Sequence, residues 1–136
     1  MTNRILLVED NSDDAMLTTR VLKKSNASVV IERVEDGQEA LDYLFNDENE
    51  IPSLILLDLK MPRVDGLEVL YKLKTDQKKK TIPIVMLTSS KEESDIIKSY
   101  ALGVNAYIVK PVDYEQYVTA LTQLGHFWLS INEAPS

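Results

Sequence analysis

Four apolar runs in this chain each end on residues that can do chemistry. Glu9-Asp10 follows Ile5-Leu6-Leu7-Val8, Asp58 follows Leu54-Ile55-Leu56-Leu57, Thr88-Ser89-Ser90 closes Ile84-Val85-Met86-Leu87, and Lys110-Pro111 follows Ala106-Tyr107-Ile108-Val109. If these runs are parallel strands side by side, three carboxylates, a hydroxyl and an ammonium meet at one edge of a sheet. Carboxylates packed together resist ionisation unless a cation joins them, because each raises the cost of charging the next. A ligand set made only of oxygen selects Mg2+ over zinc. A divalent ion and the Lys110 ammonium facing a single carboxylate offset the charge of a phosphoryl group in transfer, with the carboxylate as nucleophile. Asp58 is the candidate acceptor.

Each of these residues has a plainer explanation when taken alone. Glu9 and Asp10, with Asp13 and Asp14, suit the positive end of a following helix. Asp58 reads as a turn residue that closes a strand, Lys110 as a surface lysine, and Thr88 as a β-branched strand residue. Their arrival together at the ends of strands is what favours the reactive reading.

The elements that would position them are legible from periodicity. Apolar runs, including a further one at Val29-Val30-Ile31, alternate with helix-period segments over 14–24, 38–45, 67–74, 92–102 and 114–124. Continuous apolar strands separated by ten-residue helices fit a parallel sheet covered on both faces, a doubly wound α/β fold. Ligands of such folds sit beyond the carboxyl ends of the strands. Asp36 with Glu39, Asp65 with Glu68, and Asp113 with Gln116 have the spacing of capped helix starts. Gly103 falls where a left-handed residue ends the fourth helix. Pro52, Pro83 and Pro111 fall between elements, where a missing amide donor costs little. The Lys78-Lys79-Lys80 run reads as a solvated loop.

Composition narrows the function. The chain has 136 residues, 44% hydrophobic and 27% charged, with a net charge of -7, which suits one soluble globular domain. There is no cysteine and a single histidine, His126, so disulfides, thiolate zinc sites and histidine triads are excluded. The acidic balance disfavours binding to nucleic acid, whose affinity comes from neutralised phosphates. No run is long enough for a membrane helix and the start does not resemble a signal peptide, so a cytoplasmic location is expected.

As a set, Val8-Glu9-Asp10-Asn11, Asp58-Leu59-Lys60-Met61-Pro62 with Asp65-Gly66, Leu87-Thr88-Ser89, and Tyr107 with Lys110-Pro111 resemble the receiver domain of two-component response regulators. The resemblance covers nearly the whole chain and implies a flavodoxin-like (βα)5 fold with five parallel strands in the order 2-1-3-4-5. It implies Asp58 as phosphoacceptor and Asp10 as a direct Mg2+ ligand, with Glu9 acting largely through water and the Lys60 carbonyl completing the shell. Thr88 resembles the hydroxyl that meets the incoming phosphoryl, Tyr107 the aromatic switch that follows it, and Lys110 the ammonium contact. Lys110-Pro111 resembles the family's cis peptide. Many members have two aspartates in the acidic pair, where this chain has the longer Glu9 first. Lys60 and Ser90 flank the acceptor, where they should influence hydrolysis of the acyl phosphate.

The resemblance further implies a sensor histidine kinase as phosphodonor and output through the fourth helix, fifth strand and fifth helix. A receiver body over 1–125 leaves a tail over 126–136, too short for a DNA-binding or catalytic effector, so a single-domain messenger with an unknown downstream protein is expected. Phe127-Trp128-Leu129 in that tail either packs on its own fifth helix or forms a homodimer contact. This ending is similar to that of stand-alone receivers serving bacterial phytochrome kinases, many of which dimerise through this face. Turnover of external substrates is not expected. A phosphatase of the haloacid dehalogenase type would need a second acid two residues after its nucleophile, and Lys60 stands there. A nucleotide-binding loop would need clustered glycines, whereas Gly37, Gly66, Gly103 and Gly125 are dispersed. The remaining alternative is a degenerate receiver that serves only as an interaction platform.

Overall fold

The computed structural model describes residues 3–133. Five strands, β1 (Arg4–Val8), β2 (Val30–Val34), β3 (Leu54–Leu57), β4 (Ile84–Thr88) and β5 (Ala106–Val109), alternate with five helices. The helices are α1 (Ser12–Ser25), α2 (Gly37–Leu44), α3 (Gly66–Lys74), α4 (Glu93–Ala101) and α5 (Tyr114–His126). The sheet is parallel throughout, in the order β2-β1-β3-β4-β5, the expected flavodoxin-like topology.

The inner strands β1, β3 and β4 are apolar along their buried lengths because both faces of the sheet are covered, whereas the edge strand β2 carries Glu32 and Arg33 and runs past the expected Val29-Val30-Ile31 to Val34. Leu6, Val8, Ile55, Leu57, Ile84 and Met86 face one core with Val69, Leu70 and Leu73 of α3 and Ala40, Leu41 and Leu44 of α2. Ile5, Leu7, Leu54, Leu56 and Val85 face a second core with Ala15 and Leu22 of α1 and Leu124 of α5. β5 at the sheet edge is only half-buried along its length.

The three expected caps form as hydrogen bonds. Asp36, Asp65 and Asp113 accept from the backbone N–H groups of Glu39, Glu68 and Gln116. α1 starts two residues earlier than its periodicity indicates, because Asn11 caps it through a 2.9 Å bond from the Asp14 N–H. Gly103 takes φ 101°, a conformation strained for any residue with a Cβ.

Two further details differ from expectation. Lys79 is buried, not solvated, with its ammonium 4.6 Å from the centre of the Phe45 ring, a cation–π contact that lets the stem cover apolar surface. No described peptide bond is cis, so Lys110-Pro111 is trans, the isomer that an X–Pro bond prefers by about 0.5–1 kcal/mol. The tail divides its roles: α5 runs on into a π-helical turn, Phe127–Ile131, that turns Trp128 and Leu129 toward the second core and leaves Phe127 and Ile131 exposed. Residues 134–136 of the expected tail lie outside the described residues. No described helix is long and apolar enough to cross a membrane.

Candidate functional site

Strand register brings the site together. Val8 pairs with Leu57 across β1 and β3, and Leu57 with Met86 across β3 and β4. The Asp58 N–H donates to the Val8 carbonyl at 3.1 Å, and the Lys110 N–H to the Thr88 carbonyl at 2.7 Å. The residue after each strand therefore reaches the same edge.

Glu9, Asp10 and Asp58 each offer a carboxylate oxygen, and these atoms lie within 4.8 Å of one another. Asp10 is exposed, whereas Glu9 and Asp58 retain only 2% and 8% of their surface. Lys110 reaches in from the end of β5 with its ammonium 2.5 Å from Glu9 Oε1, 3.0 Å from Asp14 Oδ2 and 3.5 Å from Asp58 Oδ2. Asp14, by sequence alone a helix-start acid, joins the ammonium only in the folded chain. It stands three residues after the cap Asn11, a position that turns a side chain back toward the helix start, but that spacing does not name Lys110 as its partner.

Glu9 is held from several sides. Its Oε2 accepts from the Asn11 N–H at 3.2 Å, and its backbone carbonyl accepts from Arg33 Nε and Nη2 at 3.1 and 2.9 Å. Burial pushes its carboxyl up to about 7, outweighing the hydrogen bond and attraction of Lys110 that act in the other direction. Burial also works against the Lys110 ammonium, but Glu9, Asp58 and Asp14 outweigh it and hold its pKa above the usual lysine value. Three acidic side chains thus face one ammonium, and the Asp10 carboxylate stands beside Glu9 and Asp58 without a contact to it. A buried acid that resists ionising beside further carboxylates fits a hard divalent cation, which would supply the missing positive charge.

Thr88 is fully buried, and its Oγ1 accepts from the Ser90 N–H at 3.3 Å. Tyr107, half-buried on β5, donates its hydroxyl to the Ser90 carbonyl at 2.9 Å. Thr88 and Tyr107 are therefore tied to the same loop residue. Lys60 extends from the loop after β3 with its side chain largely exposed. A groove of about 530 Å³ lined by Asp14, Met16, Lys110, Val112 and Tyr114 opens beside this cluster.

The loop after Asp58 is fixed by its neighbours. Arg63, at φ 65°, makes a two-pronged pair with Asp36, donating from Nε and Nη2 at 3.0 and 3.1 Å. A Cβ on Gly66 would lie 2.4 Å from the Asp58 carbonyl oxygen, so only glycine allows α3 to start this close to the acceptor.

Comparison with known proteins bears on the chain as a whole. Residues 5–122 match the family model described as response regulator receiver domain. Response regulator Rcp1 of Synechocystis sp. is 38% identical over 136 residues, covering 97% of this chain and 92% of that protein. The probable methanogenesis regulatory protein FilR2 of Methanothrix harundinacea is 39% identical over 134 residues, covering 96% of this chain and 86% of that protein. The crystal structure of the phosphorylated cyanobacterial phytochrome response regulator RcpA is 40% identical, covers 100% of both chains and superposes with a TM-score of 0.95. The Mn2+-bound form of Rcp1, at 37% identity, covers 98% of this chain and 99% of that one, also with a TM-score of 0.95.

Proposed function

Because this chain belongs to the response regulator receiver domain family and is related to phytochrome response regulators, we propose that it accepts a phosphoryl group on Asp58 from a sensor histidine kinase. The observation that carries this reading is the approach of Lys110 to Asp58 beside Glu9 and Asp10 at one strand edge. An Asp58 carboxylate oxygen attacks phosphorus as the bond to the donor imidazole nitrogen breaks, and the imidazole leaves with its electron pair. Lys110 offsets charge on the phosphoryl oxygens, and Thr88 supplies a hydroxyl to one of them. Glu9, Asp10, Asp58 and the Lys60 carbonyl would hold Mg2+, which supplies Lewis-acid stabilisation of the transferring group when bound. RcpA was crystallised phosphorylated and Rcp1 with Mn2+, which supports both parts of this assignment.

The groove rimmed by Met16, Val112 and Tyr114, all largely exposed, offers an apolar landing place next to Asp58 for the kinase, of phytochrome type by kinship. The new phosphoryl charge draws Thr88, and Tyr107 passes the change to the face built by α4, β5 and α5, where an unidentified downstream protein reads it. The receiver body spans 1–125, and the tail over 126–136 offers Phe127 to a second copy of the chain. We place the protein in the cytoplasm as a messenger that turns over its own phosphoryl group only.

Incubation with acetyl phosphate and Mg2+, read by intact mass, tests the proposal. The expected result is one labile phosphoryl on the wild type and none on Asp58→Asn. An unmodified wild-type mass would overturn it in favour of an interaction platform.

A further inference from the structure

The acceptor chemistry leaves one buried acid unused. Asp95, in the first turn of α4, keeps only 8% of its surface and points inward. Its Oδ2 accepts the Ser90 hydroxyl at 2.6 Å and lies 3.9 Å from Lys60 Nζ. An acid near a helix start is favoured by the helix dipole, but that attraction does not require burial, nor partners from two other loops. The partners are informative. Lys60 stands two residues after Asp58, and Ser90 two residues after Thr88.

Ser90 is the point where these contacts join. Its N–H goes to Thr88 Oγ1, its carbonyl takes the Tyr107 hydroxyl, and its own hydroxyl goes to Asp95. The contact to Lys60 is long and the lysine is exposed, so screening leaves it little weight. The short bond between Ser90 and a buried, ionisable acceptor is the strong one. α4 has no side-chain cap from Glu92, and the Ser90–Asp95 bond, together with a longer one of 3.4 Å from the Glu92 N–H to the Ser90 hydroxyl oxygen, fastens the loop to the helix start.

We propose that Asp95 is a positioning residue that fixes Ser90, and through it the Thr88 hydroxyl and the Tyr107 ring, relative to Asp58. α4 thereby takes part in setting the acceptor site and does not only respond to it. This rests on the phosphoacceptor reading for its functional consequence, but not for its structural one.

Tyrosine ring NMR resonances of the unphosphorylated protein, with Tyr107 assigned by Tyr107→Phe, test the structural part. Asp95→Ala should move the Tyr107 resonance as Ser90→Ala does, and the double variant should move it no further. Asp95→Asn, which keeps an acceptor for the Ser90 hydroxyl, should leave it near wild type. Loss of one hydrogen bond corresponds to about a fivefold fall in the anchored population. After loading from acetyl phosphate, Asp95→Ala should lose its phosphoryl on the order of fivefold faster, as the loop opens to water. A folded Asp95→Ala with the wild-type Tyr107 resonance overturns the proposal. Should Asp95→Ala not fold, Ser90→Ala carries the same expectation. If no phosphoryl is taken up, the phosphoacceptor reading fails while the Tyr107 measurement still decides this one.

Discussion

Lys110 is bound more closely to Glu9, 2.5 Å away, than to Asp58 at 3.5 Å. The ammonium is thus held chiefly by a buried acid that reached the site from another strand, and it presents its remaining capacity to the acceptor. Glu9 is in this sense the anchor of the site as well as a candidate metal ligand.

The raised Glu9 pKa sets a pH dependence. Its ordinary value is 4.5 and its folded value is about 7, so between these the folded chain binds the proton better than the unfolded chain. The contribution is fully present below about 4.5 and is lost as pH rises through about 7. The Lys110 value is raised above 10.5, so its contribution is constant across that window. Thermal stability measured with EDTA should therefore fall from pH 5 to 8, and excess Mg2+ should reverse the fall by engaging ionised Glu9. Glu9→Gln should flatten the EDTA curve; an unchanged slope in that variant would refute the assignment.

Removing the ammonium should be costly and pH-dependent. Lys110→Ala leaves Glu9 and Asp58 buried without their cation, a change worth on the order of 3 kcal/mol when a buried pair loses one partner. Protonation of Glu9 relieves part of this at low pH. Urea midpoints should show a larger loss at pH 8 than at pH 5.5, together with loss of phosphoryl uptake. Equal losses at both values would separate Lys110 from Glu9.

Gly66→Ala tests the packing behind the acceptor. The added methyl meets the Asp58 carbonyl oxygen at 2.4 Å and Leu59 Cα at 2.9 Å, both backbone atoms that cannot swing aside. A loss of about 1–3 kcal/mol is expected, typical of overpacking, with slower acetyl phosphate labelling of the fraction that remains folded. Wild-type stability and labelling together would show that α3 has room to move.

The two aromatics of the tail should separate. Trp128 packs on the second core, so Trp128→Ala should lower stability by about 2 kcal/mol, less than for a fully buried tryptophan. Phe127 meets the Trp128 ring edge-on at 5.2 Å but stays exposed, so Phe127→Ser should leave the melting temperature nearly unchanged. If the tail joins two copies, sedimentation should show weaker association in Phe127→Ser. The same distribution in wild type and variant would exclude this contact.

The sequence by itself determined the four apolar strands β1, β3, β4 and β5, the alternating helices, the three aspartate caps and the approach of Glu9, Asp10, Asp58 and Lys110, because each follows from local periodicity and from parallel strands ending at one edge. Family kinship was legible for the same reason, since the reactive residues stand next to strand ends. Tertiary structure alone decided what depends on contacts between distant segments. Asp14, 96 positions from Lys110, joins the ammonium, Lys79 leaves solvent for the Phe45 ring, and Ser90 gathers Thr88, Tyr107 and Asp95. Such partners are chosen by side-chain reach and burial across elements, and no spacing along the chain encodes those distances.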